Sequence, residues 1–155
     1  MTGVRRVASW IHLGLATLVV VGVFVQVYLI GAYIFGAGTG ALDAHRDAGF
    51  TVHALEVLVL VAALVAWLPR PQLWLSLALA IVGTAQIALA SATTWTGALH
   101  PLFALVVLTL AAQLVRLDLA MRPRRRSRAG STTRTAASAG SSPASPPTSP
   151  GARAR

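Results

Sequence analysis

From Arg6 to Asp43, and again from Arg70 to Arg116, the chain carries no Asp, Glu, Lys or Arg. Apolar runs of that length without a charge have few folded solutions in water, whereas about 20 residues suffice to cross a bilayer as a helix. The second run is long enough for two crossings and breaks at SATTWTGALHP. Further breaks at GAGTGALD and LPRPQ give four helices near residues 9–36, 47–68, 72–92 and 99–119. The expected fold is all-α: a four-transmembrane-helix, up-down bundle over residues 1–121, followed by a disordered tail over 122–155. The composition fits, with 55% hydrophobic and 11% charged residues among 155. The first run exceeds the apolar core of a signal peptide and contains Gln26 and Tyr28, so helix 1 is expected to stay in the protein.

Charge sets an expected orientation. Arg5 and Arg6 precede helix 1, Arg70 lies between helices 2 and 3, and Arg116, Arg122, Arg124, Arg125, Arg126 and Arg128 follow or end helix 4. The positive-inside rule puts both termini and the middle loop on the cytoplasmic side of the cytoplasmic membrane. The tail is rich in Arg, Ser, Thr, Pro, Ala and Gly and lacks the apolar surface that offsets chain entropy. Much of the net charge of +9 belongs to it. Beside a membrane, its Arg cluster is expected to meet anionic lipid headgroups rather than nucleic acid. Trp10, Trp67, Trp74 and Trp95 fall near span ends, where amphipathic rings anchor a bundle, and His12 reads as interfacial.

Cysteine is absent, which excludes disulfides, thiolate-bound metals and iron–sulfur clusters. Any metal or haem must therefore be held by histidine. In helix 2, His45, Gly49, His53 and Glu56 fall on one arc at 3.6 residues per turn, and such residues are costly in hydrocarbon unless they face the bundle interior. Helix 4 repeats part of the pattern: His100, then Ala104, Val107 and Ala111 at matching offsets. Asp43 is a plausible N-cap that would put His45 in the first turn of helix 2, and Pro101 suits the first turn of helix 4. The two histidines should then lie at similar depth on diagonal helices, across a gap of roughly 11 to 14 Å that can hold one metal between two imidazoles. A haem iron with two axial histidines fits that gap. Deeper in the bundle, His53 and Glu56 are expected to form a polar layer with Gln26 and Gln86, either as a proton path or cofactor partner or as a packing network. No internal repeat is obvious beyond the two histidines.

At DAHRDAG and GALHP the chain resembles haem A synthase and, more loosely, four-helix membrane haem proteins such as cytochrome b561. His45-Arg46 with Gly49 matches the His-Arg and Gly of one element, and His100 matches the second axial ligand by position. The resemblance covers the four spans, as one half of a synthase that has two. It implies haem b between His45 and His100, with Arg46 placed for a propionate. The family has a glutamate three residues before the first ligand where this chain has Leu42, and the missing second half argues against the synthase reaction. A homodimer would restore two sites. The chain also looks like small four-span bacterial membrane proteins of unassigned function. The function expected is one-electron transfer by a b-type haem protein, with an accessory membrane subunit or a small-molecule or proton carrier as the alternative. Motifs for hydrolases, phosphate binding or zinc proteases are absent.

Overall fold

The computed structural model describes residues 3–92 and 95–139, with side chains to 122. Four helices follow one another: α1 (Gly3–Ile34), α2 (Thr39–Ala66), α3 (Arg70–Ala90) and α4 (His100–Ala139), with a 3-10 helix at Trp95–Leu99 leading into α4. No strand occurs among the described residues. Each helix contains a segment long and apolar enough to cross a membrane, that of the last running over Trp95–Arg122. The chain is a multi-pass membrane protein built as a four-helix bundle. Many large apolar side chains, among them Val21, Phe24, Val27, Leu58, Val61, Ile81 and Leu105, are exposed along the spans, as a lipid-facing surface requires.

The spans form one compact unit, which ends at Ala120. Helix α4 continues past the end expected near residue 119, through Pro123, as far as Ala139. Residues 140–155 lie outside the described residues, and so do the side chains of Arg124, Arg125, Arg126 and Arg128, which were expected to meet lipid headgroups.

Two boundaries depart from the sequence reading. Helix α2 begins at Thr39, behind Gly38 at φ 83°, rather than near residue 47. Gly36, at φ 95°, and Gly38 turn the chain in the left-handed region, which glycine adopts without steric cost. Asp43 is therefore inside α2 and is not its cap. It makes an exposed ion pair with Arg46, Nη1 to Oδ1 3.3 Å. At its other end α2 closes on Trp67, whose φ of 51° lets its N–H reach the Ala63 and Leu64 carbonyls. Arg5 of α1 reaches the same end, donating to the carbonyls of Ala66 and Trp67 at 3.4 Å with its guanidinium over the Trp67 ring.

The interior reveals a repeat that the sequence hides. His12, Ala16, Val19 and Val23 line the buried face of α1, and Gln72, Ser76, Leu79 and Gly83 line that of α3, each 60 positions later. Val52, Glu56 and Val59 of α2 likewise correspond to Val107, Ala111 and Leu114 of α4, each 55 positions later. Hairpin α1–α2 and hairpin α3–α4 thus present equivalent inner faces. Val19, Val59, Leu79 and Leu114 are fully buried in the central cluster and divide the polar interior into two ends. Close packing, rather than exclusion from water, holds such a layer together in lipid.

Candidate functional site

His45 and His100 start from equivalent places on α2 and α4, 55 positions apart. Each is oriented by its neighbouring helix in the same way. His45 Nδ1 donates to the backbone carbonyl of Gln26 at 3.1 Å, and His100 Nδ1 donates to that of Gln86 at 3.1 Å. Gln26 and Gln86 are themselves the equivalent residues of α1 and α3, again 60 positions apart. A ring whose Nδ1–H is committed to a carbonyl keeps its lone pair on Nε2, the arrangement found on metal-bound histidines.

The two part-buried rings meet with centroids 6.3 Å apart and planes 80° to each other. An imidazole nitrogen lies about 1.1 Å from its ring centre and a metal–imidazole bond is about 2.0–2.1 Å, so two rings end-on to one metal have centres about 6.2–6.4 Å apart. Two imidazoles on one metal would have this spacing, and so does an ordinary edge-to-face ring pair. Among the described residues no group of three or more His, Cys, Asp or Glu side chains could hold an ion, so the pair brings two protein ligands and no third.

Around the pair, polar atoms are buried without partners. Both amide atoms of Gln26 and the Oε1 of Gln86 are closed off and make no hydrogen bond. Gly49, one turn along α2 from His45, has the Gln26 amide over it: a Cβ there would lie 3.0 Å from Nε2. Gly49 thus makes space that a flexible amide occupies. Arg46 lies outside this interior, with 63% of its side chain exposed.

No known protein family, curated protein or solved structure matches this chain.

The expected layer of His53, Glu56, Gln26 and Gln86 is not one layer. Gln26 and Gln86 belong with the histidine pair, whereas His53 and Glu56 bond to each other, Nδ1 to Oε2 3.0 Å. Gly83 of α3 makes this possible, because a Cβ there would overlap the Glu56 carboxylate and come 3.0 Å from His53 Nδ1. Glu56 is buried, but His53 keeps a quarter of its side chain exposed.

His12 is not interfacial. It is fully buried at the opposite end of the interior, with Nδ1 2.7 Å from Asp118 Oδ2 and Nε2 3.1 Å from Ser76 Oγ. Asp118 Oδ1 accepts from Gln72 Nε2 at 2.7 Å, and Ser76 Oγ donates to the Gln72 carbonyl at 2.9 Å. Since the serine proton is committed there, Oγ accepts from ring Nε2, and one further proton joins ring Nδ1 to the Asp118 carboxyl. Three helices are joined by this cluster. Its sequence signal was Asp118, the sole acid of the fourth span, together with His12 at an equivalent depth to Gln72.

Proposed function

We propose that the protein is a b-type haem protein of the cytoplasmic membrane that passes single electrons, with His45 and His100 as axial ligands. The observation that carries this reading is the facing pair of imidazoles, each with Nδ1 tied to a backbone carbonyl, at the 6.3 Å centroid spacing of two rings on one metal. The ligand count favours a tetrapyrrole over a bare ion. Structural zinc takes four protein ligands and catalytic zinc three, whereas a haem brings four nitrogens of its own and needs only the two imidazoles.

Unpaired buried amide atoms on Gln26 and Gln86 support a cofactor between the hairpins, because orphaned polar groups in a membrane interior are costly. The Gln26 side chain over Gly49 has the rotatable bonds to withdraw. When bound, the iron would supply one-electron redox chemistry with no open position for oxygen. The chain's own contribution is to fix the rings: the Gln26 and Gln86 carbonyls set the tautomer and strengthen Nε2 as a donor to the metal. Arg46 would turn from Asp43 to a propionate at the membrane surface. By the positive-inside rule the pair lies near the outer face, with the termini in the cytoplasm and the Arg cluster of the tail against anionic lipid.

A dithionite-reduced minus oxidised absorption spectrum of the purified, haem-supplied protein tests the reading. Sharp α and Soret bands, lost in His45→Ala and in His100→Ala, are expected. A featureless spectrum from folded protein, together with a stable co-purifying subunit, would favour the accessory-subunit alternative.

A further inference from the structure

The His53–Glu56 pair sits where packing alone does not call for polar groups. The equivalent residues of α4 are Leu108 and Ala111, and Val23 of α1 stands in the place of Gly83. At this level α1 and α4 hold apolar residues, whereas α2 holds an imidazole and a carboxylate and α3 the glycine that admits them. In hydrocarbon such a placement is costly.

Geometry gives the pair a direction. Glu56 is buried, and when ionised it accepts the Nδ1 proton of His53, which leaves the lone pair on Nε2. Among the described residues no protein group bonds Nε2, and a quarter of the His53 side chain is exposed at the α2–α3 seam beside Gly83. Water is scarce at that depth, so a partner for Nε2 must dissolve in the bilayer and carry an O–H or N–H donor. His53 lies eight residues along α2 from His45, about 12 Å of rise. A bilayer-soluble donor within that reach of a redox centre, beside a proton acceptor, suits a molecule that gives up a proton and an electron together.

We infer that His53 and Glu56 are the proton-accepting end of a site, open to the bilayer between α2 and α3, for a lipid-soluble hydroquinone. Its electron acceptor rests on the haem reading above. The hydroquinone would give one phenolic proton to His53 Nε2 as the Nδ1 proton shifts to Glu56, and one electron to the ferric haem that His45 and His100 would hold, becoming a neutral semiquinone. Gly83 is a positioning residue, since it leaves the space in which the Glu56 carboxylate meets the ring.

The test is anaerobic calorimetric titration of the full chain in lipid nanodiscs with decylbenzohydroquinone, empty nanodiscs serving as the blank. Saturable uptake is expected, weakened about tenfold in His53→Leu, the loss of one hydrogen bond to the ring. The double variant His53→Leu/Glu56→Ala, which copies the residues of the second hairpin, keeps the fold and should show the same loss. Uptake that is never saturable, or equally tight in the double variant, overturns the site. Haem content is read separately from the absorption spectrum. Saturable, His53-dependent uptake without haem bands supports the site and removes the haem reading, whereas haem bands without such uptake do the reverse.

Discussion

Removing either partner of the His12–Asp118 pair should cost far more than removing both. Asp118 is 4% exposed and His12 is fully buried, and the two lie 2.7 Å apart. Asp118→Val takes away the Nδ1 partner of the ring and leaves its Ser76 bond. His12→Leu takes away the ring partner of the carboxyl and leaves its Gln72 bond. Breaking a buried ion pair from one side typically costs about 3–5 kcal/mol, and we expect about 3 kcal/mol for each variant because Ser76 and Gln72 remain as hydrogen-bond partners. The double variant His12→Leu/Asp118→Val restores an apolar interior and leaves orphaned only neutral groups, each worth about 0.6 kcal/mol in a membrane. It should be about 1 kcal/mol or more stable than either single variant. Equilibrium unfolding in mixed detergent–lipid micelles, followed by helical circular dichroism, measures all four proteins of the cycle. Single effects that simply add in the double variant, within about 0.5 kcal/mol, would refute the claim that the two groups form a charged pair.

Four further predictions concern space and charge. A Cβ at Gly22 would lie 2.5 Å from Val52 Cγ2, so Gly22→Ala should destabilise by about 1–3 kcal/mol in the same unfolding assay. Gly31, in the same helix, has nothing within 4 Å, and Gly31→Ala should instead stabilise by about 0.5–1 kcal/mol. Gly83→Val, which copies the residue of α1, should expel the Glu56 carboxylate and abolish saturable hydroquinone uptake while leaving any haem bands in place. Arg46→Ala should leave stability unchanged within about 0.5 kcal/mol, since its pair with Asp43 is exposed; a lowered midpoint potential of haem-loaded protein would place Arg46 on a propionate.

Much of the architecture was legible because membrane crossing leaves a coarse signature. Charge-free runs and their breaks gave four spans, and Pro101 placed the start of α4 within a residue. The start of α2 was misplaced because Asp43, Arg46 and Asp47 look like a polar loop, while glycines at 36 and 38 turn the chain earlier. His45 and His100 were recognised by their matched offsets, but their orientation was not, since backbone carbonyls of Gln26 and Gln86 leave no side-chain pattern to read. The His12 cluster escaped for a related reason. A histidine near a span end reads as interfacial until a partner more than a hundred residues away is known to face it. The two-hairpin correspondence was hidden because the shared positions hold different residues, His12 against Gln72 and Glu56 against Ala111, so that only the buried faces reveal it.

The central claim is that His45 and His100 face one another across a single iron, and low-temperature electron paramagnetic resonance of the oxidised, haem-loaded protein tests it most directly. Two imidazoles with planes 80° apart predict a low-spin ferric signal of the strongly anisotropic kind given by near-perpendicular axial ligands, replaced by a high-spin signal or lost in His100→Ala. A high-spin signal in the unaltered protein, or a low-spin signal that survives both His45→Ala and His100→Ala, would contradict it.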